Sequence, residues 1–354
     1  MVTEQLGNLF RVRSGDGISI ANLSAFGIYP VYGGNGVNGY TSNYNVENET
    51  MVIGRVGEKC GNVKITQSRG WVSDNALIVT PKVKYDIEYM RYLLEQINLN
   101  DYANRNAQPV ISGQIIYALE TPYVGDVDEQ GLIAQNLRCF DTYIDDLTEL
   151  IEKKRGIRDG ALDDLTAGRT RMEGFCGERK EYTISDITRT VITGGTPSTA
   201  RQEYYGGNIP WLSSTEIHQK RIKKPTTYIT DLGLQNSSAK IAPERSVLIA
   251  LAGQGKTRGT AAYLTRPMAL NQSLAALVTN EKCNPEFLYY LIESMYLSLR
   301  ELSSGDGGRG GLNKKLIKGV TVTIPVDVAE QEAIADTLTA MDEEIEELEI
   351  ERDK

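Results

Sequence analysis

The stretch Ala250-Leu251-Ala252-Gly253-Gln254-Gly255-Lys256-Thr257 is the part of this chain closest to a chemical motif. A phosphate-binding loop reads G-x-x-x-x-G-K-[ST] and opens a helix whose N-terminus holds the phosphates. Here Ala250 stands where the first glycine belongs, and Arg258-Gly259-Thr260 leads into a strand-like pattern, so no nucleotide site is expected. Asp145-Asp146 is a carboxylate pair, but it falls on a polar helix face where solvation is the default. His218 is the sole histidine and reads as a surface side chain. Cys60, Cys139, Cys176 and Cys283 form no C-x-x-C pair, which speaks against a zinc site or a disulfide framework. No G-x-G-x-x-G opens a dinucleotide fold. The expectation is a chain with no catalytic residue, no metal and no cofactor of its own.

The charge is informative through its placement. The net charge of −9 argues at first against a nucleic-acid partner. Residues 180–328, however, hold 18 Lys and Arg against 12 Asp and Glu, whereas residues 329–354 hold 2 against 11. The acidity sits mainly in one segment and leaves room for a basic face elsewhere. The start of the chain shows no basic region followed by an apolar run, and Val247 to Ala252 is strand-sized. A cytoplasmic protein without a membrane partner is expected.

Whatever positions these residues is built twice. Residues 129–134 read EQGLIA and residues 330–335 read EQEAIA, an offset of 201. Ile133, Leu137, Phe140, Ile144, Leu147 and Ile151 step by four and three; Ile334, Leu338, Met341, Ile345 and Leu348 repeat that spacing. Such spacing marks the narrow apolar seam of a coiled-coil helix. Two seams too narrow to be buried alone are expected to pair. An antiparallel pairing would bring Lys153-Lys154-Arg155 to Glu343, Glu344, Glu346 and Glu347. Upstream of each seam, Val52-Ile53 matches the run from Val247, Asp74 to Leu77 matches Asn271 to Leu274, and Glu88–Glu95 matches Glu286–Glu293. Pro122 and Pro325 each close a strand before the helix. The boundaries are drawn as a domain at 1–128, a spacer helix at 129–179, a second domain at 180–328 and a second spacer helix at 329–354. The fold class is α/β (α+β): two domains in a pseudo-two-fold repeat, joined by an antiparallel two-helix coiled coil. A helix of about 26 residues spans roughly 40 Å, against about 34 Å for one turn of B-DNA, which suits two reading heads on one duplex.

The run Ile192-Thr193-Gly194-Gly195-Thr196-Pro197-Ser198, followed by Tyr204-Tyr205-Gly206-Gly207-Asn208-Ile209-Pro210-Trp211, resembles the opening of a target-recognition domain in the specificity subunits of type I restriction–modification systems. Ser246 to Ala252, Gly259-Thr260, Asn271-Gln272, and Ile324-Pro325 before Glu330-Gln331 follow in the family's order. The resemblance implies two target-recognition domains that each read a few base pairs of double-stranded DNA. It implies two methyltransferase subunits docked on the spacer, to which a motor-nuclease subunit can add. It also implies adenine N6 methylation by the partner, with S-adenosylmethionine and ATP bound on partner subunits. The rival reading is a scaffold whose coil and domains all bind protein.

Phosphates are met by Lys, Arg, small polar groups and backbone N–H, and base edges by Arg, Lys, Asn and Gln. In the second half this selects Gly195, Thr196 and Ser198 in the glycine turn. It also selects Gln219, Lys220, Arg221 and Lys223 in a basic loop, Gln254, Lys256 and Arg258 after a strand, and Arg309, Asn313 and Lys314 around a glycine-rich segment. In the first half it selects Tyr32, Asn35, Arg55, Lys59 and Arg105. Trp211 reads as core.

Overall fold

A computed structural model describes residues 2–253, 255–303 and 311–354. The chain falls into two compact units that divide between Asp145 and Asp146. Helices of ten or more residues are numbered in chain order: α1 (Ile87–Ile97), α2 (Val127–Ala167), α3 (Pro285–Ser294) and α4 (Val328–Arg352).

In the first unit a four-stranded antiparallel sheet runs in the order Phe10–Ser14, Ala76–Pro81, Met51–Gly54, Val63–Ile65. A second sheet orders Gly36–Thr41, Tyr29–Gly33 and Trp71–Val72. Val2–Gln5 pairs with Glu120–Tyr123 just ahead of α2. The second unit repeats this plan. Thr188–Thr193, Leu274–Thr279, Val247–Ala250, Ala261–Leu264 and Arg221–Ile222 form one sheet. Thr227–Ile229, Tyr205–Leu212, Met268–Leu270 and Lys240–Ala242 form the other. Arg179–Thr183 pairs with Thr321–Pro325 ahead of α4. Central strands such as Met51–Gly54 and Val247–Ala250 are buried throughout, which explains why they read as continuous apolar runs rather than alternating ones.

α1 and α3 lie against these sheets for reasons legible in their ends and stripes. Asp86 caps α1 by accepting from Tyr89 N, and Asn284 caps α3 by accepting from Glu286 N and Phe287 N. Pro285 occupies the first turn of α3, where a missing N–H costs nothing. Met90, Leu93 and Leu94, and likewise Phe287, Leu288, Leu291 and Ile292, face the cores.

The repeated Glu-Gln pair has a structural purpose. Gln130 is fully buried; its Nε2 donates to Val124 O (2.6 Å) and its Oε1 accepts from Asp86 N (2.8 Å). Gln331 does the same: Nε2 donates to Pro325 O (2.7 Å) and Lys282 O (3.0 Å), and Oε1 accepts from Asn284 N (2.8 Å). Each glutamine thus fastens the start of a long helix to the strand end before it and to the capping residue of the shorter helix. The preceding glutamates differ. Glu330 is buried and gripped by Arg171 at 2.6 and 2.7 Å, while Glu129 is exposed.

The long helices depart from expectation in two ways. α2 stops at Ala167, short of residue 179, because Gly168 takes a left-handed backbone (φ +74°) that ends a helix readily. The seams also pair only in part, although the contact that forms is the expected antiparallel one between the basic stretch of α2 and the acidic face of α4. Lys154 reaches Glu344 and Arg155 reaches Glu349, each at 2.5 Å, and Arg158 reaches Asp342. Numbers rise along α2 while they fall along α4, so the two run antiparallel. In that sense matching positions of the repeat lie at opposite ends of the pair. Ile334, Ala335 and Leu338 therefore share a core with Leu162 and Leu165, with Met341 packed against it. Leu147, Ile151 and Ile345 are buried and Leu348 is half-buried. Ile133 instead packs on the core of its own domain, and Leu137, Phe140 and Ile144 are exposed.

Candidate nucleic-acid interface

Local hydrogen bonding shapes the basic loop of the second unit. Ser213-Ser214-Thr215-Glu216 is a capping box that starts a short 3-10 turn at Ser214–Gln219, and the pattern was readable in the sequence. The buried Glu216 accepts from Thr226 Oγ1 (2.5 Å), Ser213 Oγ (2.8 Å), Thr215 Oγ1 (2.9 Å) and Ser213 N (3.1 Å). Burial pushes its carboxyl up, but these donors outweigh burial and hold it below the ordinary carboxylate range. A depressed carboxylate stabilises the fold above its unfolded pKa, and that contribution is lost as pH falls through the lower folded value. Glu216→Gln is therefore expected to cost about 1–3 kcal/mol at neutral pH. Urea titrations at decreasing pH should show the gap to the parent chain closing below the ordinary carboxylate range. A gap that is flat with pH would mean that these donors do not hold Glu216 ionised.

Lys220 follows the turn with a positive φ of +57°. Gln219, Lys220 and Lys223 are exposed. Arg221 is a correction: it donates to Glu286 (2.9 Å) and Thr339 (2.8 Å) and lies over the Tyr263 ring. Its guanidinium joins the sheet to α3 and α4. Neighbouring Lys220 has its Nζ 3.7 Å from Asp342. A cleft of about 690 Å³ separates this loop from α2 and α4, with His218, Gln219 and Lys223 facing Arg155, Glu346 and Glu349.

The segment resembling a phosphate loop runs from strand Val247–Ala250 to strand Ala261–Leu264, with no helix after Thr257. It is tied at several points. Arg300 donates to Gly255 O (2.6 Å), Tyr296 Oη donates to Lys256 O (3.0 Å), and Thr257 Oγ1 lies 3.1 Å from His218 Nε2. That last contact joins the 213–224 loop to this one. Leu312 N donates to Leu251 O (3.2 Å) and brings the next segment alongside. Asn313 there caps Lys314–Gly319 by accepting from Leu316 N (3.0 Å). Lys256, Asn313, Lys314 and Lys315 are exposed. Gln219, Lys220, Lys223, Lys256 and Lys314 are thus carried on three segments bonded in series, with the 251–260 segment in the middle. Arg258 is half-buried and reaches Ser303 Oγ (3.4 Å). Gln254 and Arg309 lie outside the described residues.

The glycine turn is mainly structural. A Cβ on Gly194 would stand 1.7 Å from Leu270 O, and one on Gly195 would stand 1.9 Å from Ser238 Oγ. Gly195 is buried, and its carbonyl accepts from the buried Trp211 Nε1 (3.1 Å), so it offers no cradle for a phosphate. Thr196 and Ser198 are exposed, and Thr196 Oγ1 donates to Gln272 (2.8 Å).

In the first unit Tyr32 is a second correction. It is buried, and its hydroxyl accepts from Gln67 N (2.9 Å). Asn35 sits exposed in the turn between Tyr29–Gly33 and Gly36–Thr41. The neighbouring backbone packs on the 54–56 segment, where a Cβ on Gly54 would meet Gly34 O at 2.1 Å. Arg55 is half-buried with Nη1 donating to Ser14 Oγ (3.2 Å). Arg105 donates to Asn100 (2.6 Å), which in turn donates to Glu58 O and Cys60 O. Asn35, Arg55, Lys59 and Arg105 therefore sit on adjoining segments. Among the described residues no cluster of His, Cys, Asp and Glu could hold a metal, and no helix is long and apolar enough to cross a membrane.

The profile of a family described as the type I restriction modification DNA specificity domain matches residues 1–155 and 177–352. The EcoprrI specificity subunit of Escherichia coli is 32% identical over 153 residues, 42% of this chain and 38% of that protein. The MjaIX specificity subunit of Methanocaldococcus jannaschii is 29% identical over 168 residues, 46% and 38% of the two. The aligned region spans less than half the length of these relatives. The solved S subunit of a type I restriction-modification system from M. genitalium shares the fold with a TM-score of 0.66 at 17% identity, covering 99% of this chain and 92% of that one.

Proposed function

The chain belongs to the type I restriction–modification DNA specificity family, and from that premise we propose that it is the DNA-reading, non-catalytic specificity subunit of such a complex. The observation that carries the reading is the repeat itself: one framework occurs twice, each time with different polar loops on it. Residues 1–128 and 180–328 are the reading domains, and the segments 129–179 and 329–354, which carry α2 and α4, are the spacer. Two domains that differ at their exposed loops read a bipartite, asymmetric site in double-stranded DNA. Two methyltransferase subunits dock on the spacer helices and supply adenine N6 methylation, with S-adenosylmethionine on those partners. A motor-nuclease subunit, when present, carries ATP.

Phosphate contacts release condensed counterions, so affinity falls steeply with salt. Lys223→Ala and Lys256→Ala should each weaken duplex binding about equally across sequences and lower the log–log salt slope by about one. Filter binding between low and high salt reads this directly, and a slope that does not change removes these lysines from the interface. The decisive test of the function is methylome sequencing of cells that express this chain with its cognate methyltransferase. Exchanging residues 180–328 for another such domain should change one half of the methylated site and leave the other half intact. A site that changes in both halves, or no methylation at all, overturns the reading.

A further inference from the structure

The two units close the same hairpin in different ways. In the first, Tyr29–Gly33 pairs with Gly36–Thr41 through a turn at Gly34-Asn35. In the second, Tyr205–Leu212 pairs with Thr227–Ile229, and residues 213–226 take the place of the turn. The parallel neighbours match as well: Tyr32 lies opposite Val72, and Leu212 opposite Leu270. The inserted arm is not a free loop. Ile217 and Ile222 are 0% exposed, and Arg221–Ile222 adds a strand outside Ala261–Leu264, where the sheet of the first unit ends at Val63–Ile65. Within the arm Lys220 holds its positive φ of +57°, which a residue with a side chain keeps only where its surroundings fix it. Much of that fixing comes from α4. Arg221 Nη2 donates to Thr339 Oγ1 (2.8 Å) while Nη1 donates to Glu286 (2.9 Å), and Lys220 Nζ stands 3.7 Å from Asp342. Thr339 Oγ1 lies 3.1 Å from Tyr290 Oη, which donates to Asp342 (2.9 Å). Two successive cations of the arm are thus engaged by the helix. The exposed Lys223 and Lys224 have no ion-pair partner among the described residues.

We propose that Thr339 is a positioning residue for DNA reading: from the spacer helix it fixes the 213–226 arm and so sets where Lys223 meets a phosphate. The inference rests on the DNA-reading function proposed above and deepens it. A cation contributes to binding when its support holds it in place beforehand, and a lysine on a loosened arm loses that pre-organisation. Thr339 acts through Arg221. Glu286 on α3 keeps the guanidinium paired when the hydroxyl is removed, so the hydroxyl is separable from the folding of the arm. The first domain closes its hairpin at Gly34-Asn35, so the effect belongs to the second domain alone.

The test is the salt dependence of duplex binding by the full chain, plotted as log affinity against log salt. The slope reports phosphate contacts, and a smaller fraction of active protein shifts the line without tilting it. Thr339→Val should lower the slope by about one. Thr339→Ser keeps the hydroxyl and should retain the parent slope. Lys223→Ala should lower the slope of the parent but not of Thr339→Val, where that contact is already lost. Lys256→Ala should lower it in both, since its segment is held separately by Arg300 and Tyr296. A Thr339→Val chain with the parent slope overturns the inference, as does a Lys223→Ala effect that survives in its background. So does a serine variant that behaves as the valine one. A parent chain whose binding does not depend on salt overturns the DNA reading itself, and this inference with it.

Discussion

Arg158→Leu is expected to destabilise the second unit by about 3 kcal/mol, the lower end of the range for breaking a buried charge pair. The Arg158 side chain is 5% exposed and lies over the Tyr290 ring. Its Nη2 donates to Glu293 (2.6 Å) and Asp342 (3.2 Å), and its Nε stands 3.0 Å from Asp342. One guanidinium therefore joins α2, α3 and α4. Removing it leaves two largely buried carboxylates facing each other with only Lys220, 3.7 Å from Asp342, as a nearby cation, and that undercompensated charge dominates the loss. The lower end applies because both carboxylates keep some contact with water. Urea unfolding of the single variant against a triple variant with leucine at Arg158, Glu293 and Asp342 separates the causes. If desolvated charge is the penalty, the triple variant regains most of the stability. If it loses more than the single variant, the network is worth more than its burial costs, and stranded charge is not the main source of the loss.

Gln331→Leu should cost the second unit about 2–4 kcal/mol, since a near-isosteric apolar side chain leaves Asn284 N–H and the Lys282 and Pro325 carbonyls unpaired at a buried site. Gln130→Leu should cost the first unit a comparable amount through Asp86 N–H and the Val124 carbonyl. Amide exchange gives the sharper readout. The Asn284 amide should lose protection in the first variant and the Asp86 amide in the second, while the other unit keeps its pattern. Loss of protection in both units from one substitution would mean that the two fold as one cooperative body.

The same glutamines show how far sequence reading reaches. The Glu-Gln repeat marked where each long helix begins, because a repeated pair before an apolar period is visible as text. That Gln130 and Gln331 are internal clasps was not visible, since the capping residues they hold lie 44 and 47 residues away. The glutamate beside each shows the limit further: Glu129 and Glu330 read alike, yet Glu330 is buried and paired with Arg171 while Glu129 is exposed.

The candidate interface divides in the same manner. Exposed polar residues on short loops, such as Asn35, Lys223, Lys256 and Lys314, are identifiable because side-chain type and strand spacing settle them locally. Arg221 and Tyr32 are as polar in type, but a long side chain is captured by whatever it can reach. Arg221 finds Glu286 and Thr339, and Tyr32 finds Gln67.

By itself the sequence determined the duplicated plan, the mixed α/β class and the helix periods, because these rest on local propensity and on repetition along one chain. Tertiary structure alone decided which seam residues are covered. An antiparallel pair brings together positions whose numbers sum to a constant, not positions that match in the repeat. Ile334 and Leu338 accordingly share a core with Leu162 and Leu165 rather than meeting their repeat counterparts Ile133 and Leu137.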